Sequence, residues 1–77
     1  MFKVQITHYD QTSGKEVSQE ILPISGREGF NALANGALQA GLHIMWRPNY
    51  PTYTVSNKHG RLMKMTLLDE DNIPAVV

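Results

Sequence analysis

Cysteine is absent from the 77 residues. That excludes the disulfides that brace many small secreted domains, and the thiolate ligand sets of structural zinc sites. Charge is also sparse, with charged residues at 18% of the chain and seven Lys+Arg balancing seven Asp+Glu. Together with a hydrophobic content of 42%, this composition argues against a disordered segment, which needs low hydrophobicity and high net charge. No apolar run approaches the roughly 20 residues of a membrane-spanning helix. The opening Met1-Phe2-Lys3-Val4-Gln5-Ile6-Thr7 alternates instead of forming the apolar stretch of a signal peptide. The expectation is one domain over residues 1–77, cytoplasmic and without membrane contact. A domain this small buries only about 60% of its unfolded surface, so function should sit on its outside.

What is present reads as strands around one helix. Phe2, Val4 and Ile6 alternate with Lys3, Gln5 and Thr7, the period of a half-buried strand. Asp10-Gln11-Thr12-Ser13-Gly14 is turn chemistry, and Val17, Ile21 and Leu22 mark a returning strand that ends at Pro23. Ser25-Gly26-Arg27-Glu28 has the spacing of a capping box. Phe30, Leu33, Ala34, Ala37 and Leu38 then recur as one helical stripe, with Gly41 placed to close the helix. A second stripe, Gly29, Ala32, Gly36 and Ala40, is smooth enough for a backbone to approach closely, on the protein's own sheet or, as the alternative, in a partner-binding groove. Leu42 to Trp46 alternates as a third strand. Thr52 to Ser56 and Arg61 to Leu68 form a hairpin around Asn57-Lys58-His59-Gly60. The last strand is apolar on both sides, as a central strand or one at an interface would be, and a homodimer stays open. The expected fold is α+β: an antiparallel sheet of about five strands with one helix packed on one face, in the order β-β-α-β-β-β.

The side chains that carry catalysis are not assembled in any known pattern. His8, His43 and His59 fall on different elements without metal-ligand spacing, and no serine lies in a nucleophile elbow. Asp69-Glu70-Asp71 lacks the alternation and distal glutamate of a calcium loop. The expectation is therefore no enzyme: no catalytic residue, no cofactor and no metal.

The zero net charge conceals segregation. Residues 1–46 carry −1, residues 47–64 carry +4 and residues 65–77 carry −3. The middle segment interleaves cations with aromatics, which suits hot-spot contacts to a protein or phosphate contact with base stacking. The candidate partner-binding residues are Trp46, Arg47, Tyr50, Tyr53, Lys58, Arg61 and Lys64. The alternation of Trp46 with Leu42 and Ile44 favours a core position for it instead.

In size, lack of cysteine and order of elements, with a hairpin, a Gly/Ala-rich helix and a further antiparallel set, the chain resembles the small phage-encoded inhibitors of bacterial defence, anti-CRISPR proteins in particular. This is a likeness of class across the whole chain, carried by no diagnostic motif. It implies a non-catalytic protein-binding module that occludes a subunit of a bacterial defence complex in the host cytosol. The alternative is a small domain that binds single-stranded nucleic acid through residues 47–64.

Overall fold

The computed structural model describes residues 2–46 and 50–75. Its elements are β1 (Phe2–Tyr9), β2 (Glu16–Ile24), α1 (Arg27–Gln39), β3 (His43–Trp46), β4 (Thr52–Asn57) and β5 (Gly60–Leu68). The strands form one antiparallel sheet in the spatial order β2-β1-β5-β4-β3. This is the expected α+β fold, with the helix between β2 and β3 in sequence. β5 is the central strand: Met65 and Leu67 are buried on the helix side of the sheet, and Thr66 and Leu68 on the other, where Leu68 pairs with Pro74.

The core lies between α1 and one face of the sheet. Val4 and Ile6 of β1, Met65 and Leu67 of β5 and Tyr53 and Val55 of β4 meet Phe30 and Ala34 of the helix. The ring of Phe30 stands edge-on to Trp46, with centroids 6.0 Å apart, and lies 4.7 Å from Tyr53. Edge-to-face and tilted pairs of this kind add specific geometry to their area of burial.

Two features of the helix depart from the sequence reading. The capping box does not form: the N-cap is Gly26 at φ 100, and no side chain caps the first turn. A positive φ of that size suits glycine, and it turns the chain so that Ser25 lies over Gly29 instead of bonding to the helix end. A Cβ on Gly29 would stand 2.8 Å from Ser25 Oγ and 3.4 Å from Ile24 Cβ. The second departure is the small-residue stripe, which does not pack on the sheet. Ala32, Gly36 and Ala40 are exposed, and a Cβ at Gly36 would meet nothing within 4 Å. Only Phe30 and Ala34 of the apolar stripe are buried. Leu33 and Leu38 stay 41% and 52% exposed on its flanks.

The C-terminal end is as expected. Gly41 sits at φ 84, its N–H donates to the Leu38 carbonyl, and that of Leu42 donates to Ala37. These two bonds are the Schellman arrangement. The contrast between the glycines gives a prediction. Gly36→Ala is expected to raise stability by about 1 kcal/mol by helix propensity alone, and Gly29→Ala by less, because Ser25 Oγ must turn away and Ile24 give slightly. The denaturant midpoint of Gly36→Ala should lie above that of Gly29→Ala.

Candidate functional site: the open face of the sheet

The face of the sheet away from α1 is uncovered. Register assigns its residues: Lys3, Gln5, Thr7 and Tyr9 from β1, Gln19, Ile21 and Pro23 from β2, and Lys64, Thr66 and Leu68 from β5, of which Thr7, Thr66 and Leu68 are buried. Thr52, Thr54 and Ser56 of β4 and Met45 of β3 share it. The alternation of β1 and β4 explains this directly, since each strand sends its apolar residues to the core and its polar ones outward. Arg61 pairs with Ser56 beside a bulge between Val55 and Ser56, and so joins the same face. Its guanidinium carbon lies 4.0 Å from the centroid of the Tyr9 ring. A cation over an aromatic face is held in place while its remaining N–H groups stay free to bind.

The chemistry of this face is cationic and rich in hydroxyls. Lys64 stands between Thr7 and Thr54 in register, and the hydroxyls of Thr52 and Thr66 are 3.4 Å apart. Gln5 Nε2 donates to Gln19 Oε1 at 3.1 Å, and Gln19 Nε2 donates in turn to Glu16 Oε1 at 3.0 Å. Among the described residues of the five strands, Glu16 is the one carboxylate that register places on this face, at its β2 rim. Lys3, Arg61 and Lys64 therefore leave the face net positive. Lys58 and His59 form the two-residue turn that borders it, steadied by Asn57 Oδ1, which accepts from His59 N–H and from Gln11 Nε2.

The sequence-derived candidates separate in space. Arg61 and Lys64 lie on the open face and Lys58 at its rim. Tyr50 is 52% exposed but lies before β4, at the opposite end from Lys58. Tyr53 is a correction. It is 1% exposed on the covered face, because alternation along β4 sends it inward with Val55. Its hydroxyl donates to the Phe30 carbonyl at 3.3 Å, and burial pushes its pKa up to about 12. Trp46 takes the core alternative, half-buried 5.3 Å from the Tyr53 ring. Arg47 lies outside the described residues.

The residues that sequence reasoning missed are Tyr9, Thr54 and Gln5. Their signal was the polar half of each alternation, but the order of the strands was needed to join those halves into one surface. Arg27 was missed for a different role. Its two Nη groups donate to the carbonyls of Tyr50 and Ala75, tying the helix start to the loop before β4 and to the segment after β5.

An open groove of about 610 Å³ wraps the β3 edge, lined by Ile44, Met45, Trp46, Tyr50, Thr52, Tyr53 and Thr54. Among the described residues, no group of three His, Asp or Glu side chains is placed to hold a metal ion. No helix among the described residues is long and apolar enough to cross a membrane. No family model, curated protein or solved structure matches the chain.

Proposed function

We propose that the protein is a non-catalytic binding module whose open sheet face docks on an acidic protein surface. The observation that carries this reading is the uncovered face itself, on which Lys64 and the Tyr9-supported Arg61 stand among threonines and glutamines. Such a face offers donors and positive charge without a cavity, which suits a broad, complementary partner surface. The likeness to small phage-encoded inhibitors extends the proposal to occlusion of a bacterial defence complex.

Binding of single-stranded nucleic acid is the competing reading, and it uses the same cations. It needs exposed rings on which bases stack. Here Tyr53 and Trp46 belong to the covered face, Tyr9 lies under Arg61, and the exposed Tyr50 stands before β4, at the opposite end of that strand from Lys58 and Arg61. That distribution favours a protein partner.

The test is a charge reversal, Arg61→Glu with Lys64→Glu, measured against the wild type. Wild-type protein is expected to retain a stoichiometric acidic partner from a bacterial lysate and to release it as salt rises. The reversed variant should retain none while keeping its circular dichroism. Equal retention by both proteins rejects this face. Salt-sensitive binding of a labelled oligonucleotide at micromolar protein, with no protein retained, puts nucleic acid in its place.

A further inference from the structure

β2 is an edge strand of nine residues, exposed along all of it but the last residue. Val17, Ile21 and Leu22 are 64%, 51% and 44% exposed. Pro23 reveals which of its backbone groups are unpaired. Pro23 stands opposite Lys3 and has no N–H to give to β1, so this position faces outward, as prolines of edge strands do. By alternation the N–H and C=O groups of Ile21 and Gln19 face outward as well. Beyond Ser18 the register shifts and Val17 is skipped. The regular open edge therefore runs from Ser18 to Leu22, and Glu20 is its centre.

We propose that this edge pairs with the β2 of a second copy, antiparallel about a two-fold axis at Glu20, and that the Glu20 carboxylate gates the pairing. In this register Gln19 faces Ile21 of the second copy and Ile21 faces its Gln19. Each of these pairs exchanges both ladder bonds, since all four residues present outward N–H and C=O groups. The two Ile21 side chains become diagonal neighbours, within reach of each other. Leu22 faces Ser18. The chain is its own complement at this edge, and pairing would join two sheets into one.

A single contact opposes it. The two Glu20 side chains stand directly opposite each other at the axis, in a pair that makes no ladder bonds and brings Cα atoms to about 4.5 Å. Like charges so placed repel. Within each copy, His8 Nε2 lies 3.1 Å from Glu20 Oε1. Loss of charge at this pair, by protonation of either partner, admits the second copy. The remaining titratable groups nearby do not share this role. Glu16 is engaged by Gln19, Tyr9 lies under Arg61, and Lys3 bonds Asn72 on the far side of the sheet. Of the helix charges, Arg27 is held by the carbonyls of Tyr50 and Ala75, and Glu28 lies in the first turn, at the end away from His8.

Sedimentation velocity of the full chain tests the proposal, at high protein concentration and at a neutral and an acid pH. The wild type is expected to dimerise up to about fivefold more tightly at the acid pH. Glu20→Gln should dimerise equally at both. Gln19→Pro, which removes an outward N–H and leaves the bonds to β1 in place, should be monomeric at both with unchanged circular dichroism. Because the chain has no cysteine, Glu20→Cys offers an independent reading. At the axis its sulfurs meet at disulfide distance, and it should oxidise to a covalent dimer faster than Gln19→Cys. Monomeric wild type at acid pH together with monomeric Glu20→Gln overturns the pairing. Wild-type dimers of equal strength at both pH values, or dimers that persist in Gln19→Pro, overturn the gate and the edge respectively.

Discussion

Phe30→Ala is expected to leave the chain largely unfolded at room temperature. Phe30 is fully buried, and its ring is the contact through which α1 meets both Trp46 and Tyr53. Truncating a buried phenylalanine costs about 3–5 kcal/mol, through lost transfer energy and the cavity left behind. A domain of this length has a total stability of roughly 4–12 kcal/mol, so the loss is comparable to the lower part of that range. The rest of the helix does not compensate, because Leu33 and Leu38 are too exposed to anchor it. Leu38→Ala, at 52% exposure, is the internal control and should cost under about 1 kcal/mol. Urea denaturation of the two variants measures the difference. Equal midpoints would show that α1 contributes nothing through Phe30.

The second large effect is alkaline. Burial of Tyr53 disfavours its ionised form and raises its pKa from 10.0 to about 12. A group whose folded pKa lies above its unfolded value gives stability that is fully present below the unfolded pKa. That stability is lost as pH rises from 10 toward 12, because the unfolded chain releases the proton first. The two units correspond to about 2–3 kcal/mol. Stability should therefore fall across this window in the wild type and fall less in Tyr53→Phe. The substitution itself should cost about 1 kcal/mol at neutral pH, for the lost bond to the Phe30 carbonyl. Tyrosinate absorbance provides the direct check: the part of the signal removed by Tyr53→Phe should appear near pH 12. Its appearance near 10 would contradict the burial of this hydroxyl.

The elements were legible because their signals are local. Alternation in Phe2–Tyr9, the stripe from Phe30 to Leu38 and the turn at Lys58-His59 are each contained in a few residues. The capping box was misread because the same Ser-x-x-Glu spacing can be overridden by one backbone angle, here at Gly26. The candidate site was legible only in part. Arg61 and Lys64 were found from charge, but Tyr53 was grouped with them by nearness in sequence, and neighbours along a strand point to opposite faces. Tyr9 could not be joined to Arg61 at all, because the two meet through a β1–β5 pairing that spans most of the chain.

That pairing bears on how the protein is made. β5 lies between β1 and β4, so the first strand has only β2 beside it until residues 60–68 have been synthesised. A two-stranded ribbon of that kind is marginal in water. On a ribosome, the nascent chain would carry Val4, Ile6 and Phe30 without their shared neighbours Met65 and Leu67 until the last strand clears the exit tunnel. Folding is then a late, all-at-once event governed by closure of a long loop, and so slow for a chain of this size. Until that moment the exposed apolar strands are substrates for chaperones, and a ribosome stalled before residue 60 would leave a product without a core.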